Sequence, residues 1–133
     1  MRLNFHNQEI IFDGAHNKGA LKILVANLKL ITSSKKIIVL FATSKSKRFY
    51  QMKEYLKQFY KVYLTEFNHF KAYKVKNYEK INYLKEKNWA YFLKKHRNKI
   101  IVVCGSIYFE SYFYQFLLNL KDTKKYYNKV LKK

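Results

Sequence analysis

The sequence has no proline, three glycines and one cysteine. A single thiol cannot build an intrachain disulfide or a cysteine metal cluster, which removes the small disulfide scaffolds and zinc ribbons. Scarce glycine excludes the phosphate loops. Gly14 and Gly19 have the spacing of G-x-x-x-x-G-K-[ST], but Ala20 and Leu21 stand where the lysine and the hydroxyl residue are required. The dinucleotide fingerprint G-x-G-x-x-G fails because position 16 is His, and the remaining glycine is the distant Gly105. No run approaches the ~18 apolar residues of a membrane span, and no apolar leader opens the chain. The chain is therefore expected to be soluble and cytoplasmic. Cys104 falls in the apolar run Ile100 to Cys104 and is expected to be a buried, inert thiol.

Acidic residues are also few: 8 Asp plus Glu face 28 Lys plus Arg, a formal charge of +20. Such an excess invites a nucleic-acid reading, since clustered cations release counterions from phosphate backbones. Arginine, the residue of bidentate phosphate and base readout, occurs at positions 2, 48 and 97 alone. Abundant Lys, Asn, Ile, Tyr and Phe with no Pro is the composition that AT-rich coding imposes on any protein, so weak, non-specific polyanion binding is the expectation. Aromatics interleaved with lysines around Tyr73, Lys74, Lys76, Tyr78, Lys80 and Tyr83 read as a stacking platform for single strands or, more simply, as half-buried rings under a lysine-covered surface. The basic stretch Lys124 to Lys133 carries too few bulky apolar residues for a membrane-surface helix.

A length of 133 residues with 49% hydrophobic and 19% aromatic content is one domain around one core. We expect a domain over residues 1–120 and a basic tail or helix over 121–133. Arg2 to Phe5 and Glu9 to Phe12 read as short strands flanking a His6-Asn7-Gln8 turn, an antiparallel hairpin. Apolar residues at helical spacing predict a helix over 16–30, and Ile37 to Phe41 is a continuous apolar run of a strand buried on both faces. A helix is predicted over Arg48 to Phe59, with Phe49, Met52, Tyr55, Leu56 and Phe59 on one stripe, then a strand at Val62 to Leu64. Asn68 to Lys80 reads as a loop or short irregular strand. Lys85 to His96 reads as a helix with Trp89, Phe92 and Leu93 inward, Ile100 to Cys104 as a buried strand, and Ser106 to Leu120 as a helix that Ser106 can cap. Strands alternating with helices give an α/β fold with right-handed crossovers and a mostly parallel sheet.

The stretch Ile10 to Asn17 organises this reading: an apolar strand ends in Asp13, Gly14, Ala15, His16 and Asn17, and a helix follows. Open α/β sheets put their chemistry on such turns, because the carboxyl ends of parallel strands converge and a helix N-terminus offers free N–H groups. The Asp13 to Asn17 turn and the Gly105-Ser106 turn both fall at carboxyl strand ends and can share one face. Structural roles compete for the same residues. Asp13 and Asn17 can cap the helix, Gly14 can supply a positive φ, Ser106 can cap, and His16 can be solvated. His6, His69 and His96 read as surface residues, and no metal cluster is indicated.

Asp13-Gly14-Ala15-His16-Asn17 after an apolar strand resembles the D-G-A-H-N-P signature that opens the C-terminal domain of folylpolyglutamate synthase/dihydrofolate synthase, in the Mur ligase superfamily. Arg2-Leu3-Asn4-Phe5 resembles that domain's entrance motif G-R-x-E, with Met1 for the glycine. Ile37 to Ala42 followed by Lys45-Ser46-Lys47-Arg48 resembles V-F-G-x-x-x-D-K-D without its acidic residues. Tyr63-Leu64-Thr65-Glu66-Phe67 with Phe70-Lys71-Ala72 resembles L-T-x-F with a downstream P-R-A, and Val102 to Tyr108 resembles V-T-G-S-L-Y. The resemblance implies a Rossmann-like three-layer sandwich and a place in an ATP-dependent acid–amino-acid ligase of the folate polyglutamate type. It also implies roles. His16 and Ser106 would be catalytic, His16 lying near the acyl-phosphate and the incoming amine; Asp13 would hold the nucleotide ribose, Arg2 would reach the phosphates, and Asn17 and Lys47 would complete the cofactor site. ATP and Mg would be held mainly by an N-terminal P-loop ATPase domain, which the resemblance does not cover. The chain is then expected to be a free-standing domain, the partner of a separate ATPase chain, or a remnant without turnover, with folate and glutamate as substrates.

Overall fold

The computed structural model describes residues 1–14, 18–31, 36–44, 52, 56–57, 59, 61–75 and 82–121. The chain opens with β1 (Arg2–Phe5) and β2 (Gln8–Phe12), paired antiparallel with Phe5 opposite Gln8. The two-residue connection has φ 49° at His6 and 68° at Asn7, both left-handed, which matches the twist of a tight hairpin. Asn7 tolerates that region, and its backbone N–H donates to Asn4 Oδ1 at 2.9 Å.

From β2 the chain passes into α1 (Lys18–Ile31), then β3 (Ile37–Phe41), β4 (Lys61–Thr65), β5 (Tyr83–Leu84), a 3₁₀ turn at Glu86–Asn88, α2 (Trp89–Lys95), β6 (Ile100–Cys104) and α3 (Ile107–Lys121). The six strands lie in the order β1-β2-β6-β3-β4-β5, parallel except for the β1 hairpin at one edge. This is the expected mixed sheet.

Alternation along the central strands separates two cores. Ile10, Phe12, Ile38, Leu40, Ile101 and Val103 point to the face covered by α2 and α3, through Trp89, Phe92, Phe109, Phe113 and Leu117. Ile11, Ile37, Val39, Phe41, Val102 and Cys104 point to the other, covered by Leu21, Leu24, Val25 and Leu28 of α1 and by Met52, Leu56 and Phe59. Burial on both faces is why β3 reads as unbroken apolar sequence. Each such side chain removed from water contributes about 1.5–3 kcal/mol.

Some expectations hold, some are corrected, and some fall outside the described residues. Of the helix predicted over 48–59, Met52 and Leu56 are helical and, with Phe59, buried; Phe49 and Tyr55 lie outside the described residues. Within 68–80 the described part is turns plus one bridge between Ser44 and Ala72, and Lys76, Tyr78 and Lys80 lie outside the described residues. The strand β5 was not expected. His6, His69 and His96 are half-buried rather than surface residues, each against aromatic rings. Cys104 is fully buried, and burial pushes its thiol well above the ordinary range, so it is an inert core residue. Residues 122–133, the expected tail, lie outside the described residues.

Candidate functional site

The parallel pairing of β2 with β6 brings two turns side by side. Asp13 N–H continues the ladder by donating to Val103 O at 3.1 Å, and Ala42 N–H donates to Cys104 O at 3.3 Å. Asp13-Gly14, Ala42-Thr43 and Gly105-Ser106 therefore leave the sheet together at the carboxyl ends of β2, β3 and β6. Arg2, opposite Ile11, reaches the same end because β1 runs backwards. Its guanidinium bonds Glu9, further down the hairpin. His16, Asn17 and Lys47 lie outside the described residues.

The glycine that sets the site is Gly105. Its φ is +118°, and a Cβ there would lie 2.2 Å from Ala42 O and 2.9 Å from the Phe41 ring. Close approach of β6 to β3 leaves no room for a side chain, while Thr43 Oγ1 donates to Gly105 O at 3.2 Å. Gly14, by contrast, has no atom within 4 Å of its added Cβ and no positive φ, which corrects its expected conformational role. Ser106 is 1% exposed and caps α3: Tyr108 N–H donates to its Oγ at 3.1 Å, and Glu110 N–H donates to its carbonyl at 3.0 Å.

Two features went unseen in the sequence. Glu110, in the first turn of α3, faces Asp13 across the two turns. Its Oε2 is shielded from water and has no hydrogen-bond partner among the described residues. Burial first, then the Asp13 charge, pushes its carboxyl up to about 7, against a smaller opposing pull from the Met1 amino group. The other feature is a ring stack beside Ser106. His69 lies 4.8 Å from Phe70, 5.1 Å from Tyr108 and 5.7 Å from Phe67, centroid to centroid, all within 28° of parallel. Lys71 N–H donates to His69 Nδ1 at 3.1 Å, and Lys71 Nζ donates to Tyr108 OH at 2.8 Å. Phe70 is 77% exposed, so the stack opens to solvent. Phe70 and Tyr108 were visible in the two motifs of the resemblance; their contact through His69 needed the fold.

The segment from Glu66 to Val75 is held over the sheet end by Tyr73 N–H donating to Thr43 O at 2.8 Å and Val75 N–H donating to Glu66 Oε2 at 2.7 Å. Among the described residues no three His, Cys, Asp or Glu side chains converge to hold a metal. A cavity of about 240 Å³ lined by Leu3, Phe5, His6, Tyr114, Leu117 and Leu118 lies under the hairpin, away from the carboxyl strand ends. No described helix is long and apolar enough to cross a membrane.

Half-buried Asp13 and the capped start of α3 thus lie together at the carboxyl end of an open α/β sheet, the end at which sheets of this class hold their ligands. No family model matches the sequence, and no curated protein matches it. Solved structures do match. The chain aligns over 86% of its length with FolC of Escherichia coli in complex with ADP, at TM-score 0.72 and 15% identity, covering 30% of that chain. It aligns over 95% with folylpolyglutamate synthase of Thermotoga maritima, at TM-score 0.68 and 20% identity, covering 31% of it. The Mycobacterium tuberculosis folylpolyglutamate synthase complexed with ADP and AMPPCP gives TM-score 0.69, 14% identity, and coverage of 88% and 31%. The chain has the fold of the C-terminal domain of folylpolyglutamate synthases and spans about a third of their length.

Proposed function

We propose that this chain supplies the C-terminal half-site of an ATP-dependent acid–amino-acid ligase of the folate polyglutamate type and acts with an ATPase domain on a separate chain. The observation that carries this reading is the pairing of the Asp13-Gly14 and Gly105-Ser106 turns on adjacent strands of a folylpolyglutamate synthase fold. A solved relative in fold, from Yersinia pestis, is complexed with AMPPNP and a Mn ion. The half-buried carboxylate of Asp13 suits ribose hydroxyls, so the donor set fits a nucleotide. With no metal-ligand group among the described residues, Mg is assigned to the ATPase domain.

ATP with Mg supplies activation of the acid as its acyl-phosphate. Asp13 orients the ribose and Arg2 leaves Glu9 for the phosphates when the domains close. His16 is assigned to the acyl-phosphate and the incoming amine, where it orients them or stabilises developing charge. Asn17 and Lys47 are assigned to the cofactor by the motifs they belong to. Ser106 serves the amino-acid acceptor by shaping the start of α3, since its hydroxyl and its carbonyl are both bonded within that first turn. Glutamate and folate are the proposed substrates, the domain is residues 1–120, and 121–133 is an appended basic segment.

A second reading, a binding module without turnover, is favoured by Ser106, whose hydroxyl is already committed to the helix cap. The experiment is recovery of the tagged chain from its own cells, with bound proteins identified and the eluate assayed for folate- and glutamate-dependent ATP hydrolysis. The ligase reading expects a P-loop ATPase chain whose dependent hydrolysis falls at least 100-fold with His16→Ala, a catalytic loss of about 3 kcal/mol. Recovery without dependent hydrolysis overturns it in favour of the module.

A further inference from the structure

The amino-terminal end of the sheet, opposite the candidate site, carries a line of cations. In the register of β6, β3 and β4, Ile37 pairs with Ile100 and Ile38 with Lys61. Lys99 and Lys36, each just before its strand, are therefore neighbours, and Lys61 opens the next strand along. Strands lie about 4.8 Å apart and Lys61 is level with Ile38, two residues further along, so this diagonal covers about 12 Å. The turn between α2 and β6 adds Lys95, His96 and Arg97. That turn is built rigidly: Gln8 Nε2 donates to His96 O at 2.8 Å, and Lys99 N–H donates to the same carbonyl at 3.0 Å. Lys36, Lys95 and Arg97 are exposed.

Bland explanations cover only part of this row. Lysines in the last turn of α2 gain from the helix dipole, which accounts for Lys95. Lys36 and Lys61 precede or open strands, where no such dipole acts on them. Among the described residues the carboxylate at this end is Glu9, bonded to Arg2, whereas Asp13, Glu66, Glu86 and Glu110 all gather at the carboxyl end. The ring of His96 lies 5.6 Å from Tyr63, and Lys61 Nζ lies 5.5 Å over the same Tyr63 ring. Burial first, then Lys95, Lys61 and Lys99, hold the imidazole below its ordinary pKa, in keeping with a dense local cation field.

We propose that this rim binds the phosphate backbone of single-stranded RNA. A narrow band of cations matches one backbone rather than the two that border a duplex groove. Lysine in place of arginine makes the contact independent of sequence. The rim is separate from the ligase half-site and stands without that reading.

The test is anisotropy of a labelled 20-nucleotide uridine RNA between 50 and 200 mM salt, with folding checked by circular dichroism. The rim triple Lys36→Glu, Lys95→Glu, Arg97→Glu is compared with the triple Lys22→Glu, Lys85→Glu, Lys87→Glu, whose exposed lysines flank the carboxyl end and lower the net charge equally. The rim triple is expected to weaken binding at least tenfold at 50 mM salt. It should also flatten the log affinity against log salt slope by about 2, from ~0.7 counterions per single-strand phosphate. The other triple should lose less than threefold. Equal losses from the two triples, or an unchanged slope in the rim triple, overturn the proposal. Should the rim triple unfold, Lys36→Glu alone is expected to weaken binding about threefold, and no change overturns it.

Discussion

A carboxylate in the first turn of a helix ordinarily gains from the free N–H groups and the dipole, which hold its pKa down. At Glu110 the sign is reversed, because burial and Asp13 outweigh that gain and bring the carboxyl up to about 7. A carboxyl whose folded pKa exceeds its unfolded value adds stability below the unfolded pKa, and that stability is lost as pH rises through the folded one. The window therefore runs from about 4.5 to about 7. Glu110→Gln keeps the shape and removes the charge, so its stability relative to the wild type should rise across that window, by no more than about 3 kcal/mol at pH 8. Urea unfolding of both proteins at pH 5 and pH 8 checks this, and a pH-independent difference would show that Glu110 is solvated. The sequence gives no hint of the pair, since Asp13 and Glu110 meet only because β6, late in the chain, inserts beside β2. Gly105 was legible only as a possible turn; the 2.2 Å approach to Ala42 O that makes glycine obligatory is a property of the sheet.

At the scale of elements, what the sequence revealed was whatever periodicity alone controls. The runs Ile37 to Phe41 and Ile100 to Cys104 are strands with the expected bounds, because two-sided burial writes itself as unbroken apolar sequence. The site's two turns and the Ser106 cap were legible for the same reason, as polar punctuation at the ends of those runs. Two-residue β5 was not, since Tyr83 and Leu84 form a strand through pairing with Leu64 and Thr65, with no pattern of their own. What fastens that edge is a polar contact. Thr65 Oγ1 accepts from Trp89 Nε1 at 2.9 Å and donates to Leu84 O at 2.6 Å, joining β4, β5 and α2. Trp89 is fully buried, with ring contacts to Phe109, Phe113 and Phe116, so its N–H has no access to water. Thr65→Val preserves the volume and removes both bonds, and the stranded indole N–H carries the full desolvation cost. The expected loss is about 2–4 kcal/mol with an unchanged urea m-value. A loss under about 0.5 kcal/mol would mean that packing alone holds this edge.

The whole molecule is electrically polar as well as strongly basic, which sets how it responds to salt. A net charge of +20 on 133 residues is self-repelling, and compaction brings the like charges closer than they are in the unfolded chain. The described carboxylates of Asp13, Glu66, Glu86 and Glu110 sit toward the carboxyl end of the sheet, so they relieve little of the repulsion among Lys36, Lys61, Lys95 and Lys99 at the other. Added salt shortens the screening length from about 30 Å at 0.01 M to about 8 Å at 0.15 M. That change removes most of the repulsion across the domain while sparing short contacts such as the Lys71 Nζ to Tyr108 OH bond at 2.8 Å. The melting temperature should therefore rise with sodium chloride over this range, by several degrees for a domain of this size if about 1 kcal/mol of repulsion is screened. The triple Lys36→Glu, Lys95→Glu, Arg97→Glu should melt higher than the wild type at 0.01 M and lose that advantage at 0.15 M. Scanning calorimetry at the two salt concentrations decides the matter. A wild-type melting temperature that falls with salt would mean that favourable ion pairs outweigh the excess charge, and that the cations at the amino-terminal rim are already compensated within the fold.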